Sequence, residues 1–137
     1  MPKITLKEAE AIIEGAQVKI RELGVKMSVS VTDARGDLIA MIRTDGASWR
    51  TPFISRGKAV ASACFGLPSG DLEERSKWPV FEAFTVLQDG HFIMHQGALP
   101  VYKKGEIVGA VGASGGTSQE DEKVSRAGLE YAGLSST

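Results

Sequence analysis

The stretch "VGAVGASGGTSQEDE" (Val108–Glu122) runs from an apolar, glycine-bearing segment into a start dense with acids. Two folds compete for such a pattern. A glycine-rich turn between strand and helix can cradle a phosphate on backbone N–H groups, as in doubly wound parallel sheets. It can equally be a corner where a strand gives way to a capped helix. The spacing decides. Glycines fall at 109, 112, 115 and 116, so G-x-G-x-x-G is absent, and Thr117 stands where a P-loop needs lysine. Thr117 and Glu120 make a capping-box pair instead. Glu120, Asp121 and Glu122 then place negative charge where the helix dipole would welcome a phosphate. The stretch reads as strand, corner and helix. Gly109 and Gly112 sit inside that strand, where glycine costs stability and marks close approach of a backbone, a subunit or a flat ligand.

Upstream, "HFIMHQ" (91–96), "LPVYKK" (99–104) and "EIVGAVGA" (106–113) read as three strands, with Lys104-Gly105 as a tight hairpin. Residues 5–23 predict a helix: Thr5 and Glu8 form a capping box, Leu6, Ala9, Ile13, Ala16, Ile20 and Leu23 recur on one stripe, and Gly24 stops it. Met27, Val29 and Val31 alternate with Ser28, Ser30 and Thr32, the pattern of a half-buried strand. "DARGD" (33–37) turns the chain into a returning strand at 38–44. Residues 52–65 predict a second helix, Pro52 in its first turn, with Phe53, Gly57, Val60 and Cys64 on one face. The 71–88 segment reads as two short helical turns around Pro79. The last helix carries Val124, Ala127, Tyr131 and Leu134 on its apolar face. Hairpin connections imply an antiparallel sheet with helices packed on it, an α+β protein forming a single domain over residues 1–137.

Composition narrows the function. Sixteen basic against 17 acidic residues leave a formal charge of -1, so no general pull toward nucleic acid or an anionic membrane is expected. No apolar run approaches the ~18 residues of a membrane span, and no signal peptide is read, which predicts a soluble, cytoplasmic protein. Cys64 is the single cysteine, read as a buried, inert thiol beside Ala61, Ala63 and Phe65.

Metal-site patterns are missing: His91 and His95, on one strand face, would stand about 13 Å apart, too far to chelate one ion. Either histidine could serve as a single axial ligand to a haem, bridge subunits, or sit on the wetter sheet face. "GASGG" misplaces its glycines for a nucleophile elbow at Ser114. The 43–59 segment gathers Arg43, Asp45, Arg50, Arg56 and Lys58 near two aromatics. Such charges either line a pocket for carboxylates or form surface ion pairs worth little. An antiparallel sheet would bring the Asp45 bend beside the Ala98–Pro100 corner, framing a cleft with Arg43, Asp45, Lys58, Gly97, Pro100, Gly115 and Gly116.

"VSVTDARGDLIAMIRTDGA" (29–47), "GKAVASA" (57–63), "GALPVYKKGEIVGAVGASGG" (97–116) and "QEDEKVSRAGL" (119–129) resemble, in order and over nearly the whole chain, the GlcG/HbpS-like haem-binding proteins. The resemblance implies a profilin-like α/β/α sandwich with an antiparallel five-stranded sheet. It also implies homo-oligomers from dimer to octamer, haem or a related tetrapyrrole as ligand near subunit contacts, and a role accessory to a catabolic operon. Two other readings stand beside ligand binding. One is an enzyme acting on a small oxygenated carboxylate or aldehyde, with Arg43 or Arg56 as anchor and Asp45, Glu122 or a histidine as acid/base. The other is a ligand-free assembly module, with Trp49, Trp78 and Phe81 at subunit contacts.

Overall fold

The structure, a computed structural model, describes residues 2–137. Nine elements follow one another: α1 (Leu6–Leu23), β1 (Ser28–Asp33), β2 (Leu38–Arg43), α2 (Thr51–Phe65), a 3-10 stretch (Ser69–Lys77), α3 (Pro79–Leu87), β3 (Ala98–Lys103), β4 (Glu106–Ser114) and α4 (Ser118–Ala132). Both capping boxes form. Thr5 Oγ1 accepts from Glu8 N at 3.1 Å and Thr117 Oγ1 from Glu120 N at 3.2 Å, while each glutamate accepts from its cap residue's own N–H. Gly24, Gly66 and Gly133 close α1, α2 and α4 in the left-handed conformation that a side chain would strain.

The sheet is antiparallel, in the order β2-β1-β4-β3. It has four strands, not the five expected. The 91–96 segment alternates as a strand should, burying Phe92 and Met94, but it never joins the sheet. Its inward side chains pack with Ala61 and Leu72 on the outer side of α2, and Ile93 N donates to Gly57 O at 3.0 Å. A Cβ at Gly57 would stand 2.7 Å from Ile93 Cγ1, so glycine at that point lets the arm lie against the helix. A period of two reports that alternate residues are buried and says nothing about what buries them.

α1 and α4 cover one face of the sheet, where Ile12, Ile13, Val124 and Leu129 pack on Met27, Val29 and Val31. α2 covers the other. β1 is therefore buried on both faces rather than half-buried. Its serines are satisfied by α2: Ser28 Oγ lies 2.8 Å from Thr51 Oγ1, and Ser30 Oγ 2.7 Å from Ser55 Oγ. Burying these hydroxyls unpaired would cost roughly 1–3 kcal/mol each.

α2 presents Ser55, Ala59 and Ser62 to the protein interior, whereas Phe53 and Cys64 are exposed. Of the expected face, Phe53 and Cys64 are thus exposed while Gly57 and Val60 lie under the 91–96 arm, and Cys64 is not the buried thiol read from its neighbours. The cause is Gly112: a Cβ there would overlap Ser55 O and lie 2.9 Å from Ala59 N, so helix and β4 approach too closely for larger residues. The backbone approach expected at Gly109 and Gly112 is internal to the chain, since a Cβ at Gly109 would overlap Thr32 O of β1.

Candidate functional site

Ser28 of β1 pairs with Arg43 of β2 and with Ser114 of β4, and Ala98 of β3 pairs with Gly112. The Asp45 bend and the Ala98–Pro100 corner therefore share one end of the sheet but occupy its opposite edges. β1 and β4 lie between them, a separation of three strand spacings, about 14 Å. The single cleft expected from their adjacency is divided.

Lys58, Gly97, Gly116 and Asp121 form one part. Lys58 Nζ donates to Asp121 Oδ2 at 2.8 Å and to Ala113 O at 3.1 Å, and Gly116 N donates to Asp121 Oδ1 at 2.9 Å. Gly97 (φ 144°) fits against this pair because a Cβ would come within 2.8 Å of Lys58 Nζ, and its carbonyl accepts from Ser125 Oγ at 2.7 Å. Both charged side chains are almost fully buried, with 3% and 5% exposure. Burial pushes the Asp121 carboxyl above its usual range, against the opposing pull of the Lys58 ammonium. Pro100 lies buried in β3 opposite Ala110, while Arg43 and Asp45 are exposed at the far edge.

The second part is open. A cleft of about 540 Å³ runs between Lys26, the Gly46–Ser48 bend, Arg50 and Thr51 at the start of α2, and the Ser114–Gly116 turn. Gly115 and Gly116 were expected at such a cleft, and Arg50 belongs to the charged 43–59 stretch. Lys26 was missed, since a lone lysine beyond a helix stop carries no pattern.

A third feature lies at the opposite end of β1. A cleft of about 340 Å³ is bounded by Arg35–Asp37 of the β1–β2 turn, Arg56 and Val60 of α2, Phe84 and Gln88 of the α3 segment, and His91. Arg35 Nη1 is paired with Asp37 Oδ1 at 2.9 Å. Arg56 Nε is buried and has no hydrogen-bond partner. His95 sits elsewhere, its Nδ1 3.2 Å from Glu73 Oε1. Both imidazoles are exposed and alternate with buried Phe92 and Met94. Among the described residues, no group of three or more His, Cys, Asp or Glu is placed to hold a metal ion, and no helix is long and apolar enough to cross a membrane.

An antiparallel sheet flanked by helices defines a mixed α+β protein rather than a doubly wound parallel fold. The chain belongs to the HbpS-like family, described as "Haem degrading protein HbpS-like", whose model matches residues 4–130. It is 27% identical over 128 residues to an uncharacterised 15.0 kDa protein of the dhaT-dhaS intergenic region of Citrobacter freundii, covering 93% of this chain and 90% of that one. Its fold is similar to that of the PduOC–haem complex, with a TM-score of 0.88 at 17% identity, covering 98% and 99% of the two chains. A double mutant of Streptomyces reticuli HbpS superposes with a TM-score of 0.83 at 26% identity, covering 95% of this chain and 87% of that one.

Proposed function

We propose that this chain is a homo-oligomeric, cytoplasmic binding protein for haem or a related tetrapyrrole, accessory to a catabolic operon. The observation that carries the reading is the position of His91 at a cleft walled by Val60 and Phe84 and supplied with a cation by Arg56. The donor set fits the group. An imidazole is a common axial ligand to haem iron, apolar side chains match the macrocycle, and a guanidinium matches a propionate. Arg56 Nε, buried without a partner, is an unmet donor that a ligand carboxylate would satisfy. Arg35 is already engaged by Asp37, which leaves Arg56 as the anchoring cation. His91 would hold the iron, Arg56 would orient the propionate edge, and Val60 and Phe84 would exclude water from one face. Bound there, the haem would supply its iron as the redox-active and ligand-accepting centre.

The family's description and the haem complex of the PduOC relative support the same ligand. The intergenic location of the Citrobacter relative supports an operon role. Self-association is supported by α3, which buries none of its residues and exposes Val80, Val86 and Leu87 beside Trp78.

Haemin titration tests the reading. A Soret shift is expected at micromolar haemin, lost in His91→Ala, weakened in Arg56→Gln and kept in His95→Ala. No shift in the wild-type protein overturns haem binding; a shift that survives His91→Ala overturns this cleft as its location. Sedimentation showing only a monomer overturns the oligomer.

A further inference from the structure

We propose that the cleft between Lys26, Arg50 and the Gly115–Gly116 turn binds a small hydroxycarboxylate. It lies at the opposite end of β1 from His91, so it is a separate site and does not depend on haem binding. Its charge is one-sided: two cations and no acid line it, in a chain whose formal charge is -1. Among the described residues, neither Lys26 nor Arg50 takes part in an ion pair. Arg50 stands at the N-cap position of α2 and is exposed there.

The Lys26 side chain lies against the Gly46 bend. A Cβ at Gly46 would stand 2.8 Å from Lys26 Cδ and 3.0 Å from Nζ, so glycine at 46 is what lets the lysine lie across the bend. Ser48 and Ser114 line the same space, whereas the Thr51 hydroxyl is occupied, donating to Ser48 O at 2.8 Å. Two cations for a carboxylate and neighbouring hydroxyls for an alcohol define the ligand class.

Phosphate fits less well. Gly116 N is bonded to Asp121 Oδ1 and Thr117 N to Glu120 Oε1, each at 2.9 Å, so the N–H groups that would cradle phosphate are committed to the chain's own carboxylates.

The test is calorimetry and amide-shift mapping on the full chain, with lactate and inorganic phosphate as probes. Lactate is expected to bind with a dissociation constant of about 1 mM, and the Lys26→Gln, Arg50→Gln double variant to weaken it at least about tenfold. Ser48→Asp, which adds an acid without removing a cation, should weaken it similarly. Lys26 and Arg50 are exposed, so the double variant should keep the wild-type melting temperature. No lactate binding at tens of millimolar overturns the site, as does binding unaffected by both sets of variants. Phosphate binding tighter than lactate overturns the carboxylate assignment.

Discussion

Lys58 Nζ and Asp121 Oδ2, 2.8 Å apart, join two helices that lie on opposite faces of the sheet. α2 carries the lysine and α4 the aspartate, and they meet where β4 ends, with Ala113 O as the third member. The pair fastens one helical layer to the other around the end of the sheet, with Gly97 sealing it from β3.

Removing one partner strands a buried charge. Lys58→Met is expected to destabilise the fold by about 3–5 kcal/mol in urea unfolding, and a compensating Asp121→Leu to recover most of the loss. The deficit has a defined pH sign. Without the ammonium, burial and the neighbouring Glu120 act on Asp121 against the Gly116 N–H alone, and its folded-state value is lifted further above the unfolded one. Stability from a raised carboxyl is present below the unfolded value and lost as pH rises through the folded one, so Lys58→Met should be least impaired in acid. An equal deficit at all pH values would refute the assignment.

Glu8 shows the opposite sign. The hydrogen bond from Lys103, 2.9 Å from Oε1, holds its carboxyl below the ordinary range, outweighing partial burial. This contribution is present above the unfolded value of 4.5 and lost as pH falls through the folded one. Lys103→Met should raise the Glu8 titration by NMR, with the Thr5 bonds still acting on it, and flatten that acid limb. With both side chains 27% exposed, the loss at neutral pH is at most about 1 kcal/mol.

Two glycine replacements should differ in cost. Gly112→Ala pushes a methyl into the α2 backbone at Ser55 O, which cannot rotate away, and about 3 kcal/mol or more is expected. Gly105→Ala meets nothing within 4 Å and strains only its φ of 77°, about 1 kcal/mol. Thermal melts that rank the two alike would contradict the close packing of α2 on β4.

Cys64 is exposed, yet the partial burial of its thiol raises its titration above the usual cysteine value. Iodoacetamide should alkylate the native protein slowly near neutral pH and faster in alkali, without unfolding it. A rate matching free cysteine at pH 7 would count against this surface.

Several features were legible in the sequence because their causes lie within a few residues. Thr5–Glu8 and Thr117–Glu120 satisfy N–H groups three positions apart, Gly24 accepts a left-handed turn, and Lys104-Gly105 reverses the chain wherever the rest of the fold goes. The corner at Gly115 and Gly116 was legible for the same reason, since Thr117 opens the next helix two residues on.

Tertiary structure alone decided which layer each apolar face would join. The 91–96 arm has a strand's alternation, but burial against α2 outcompeted pairing at the sheet edge, and no local signal distinguishes the two. Lys58 and Asp121 stand 63 residues apart, so neither residue's neighbours announce the other. Caps and turns are settled by contacts along the chain; partners, clefts and strand count are settled by competition for burial between segments that meet only once the chain has folded.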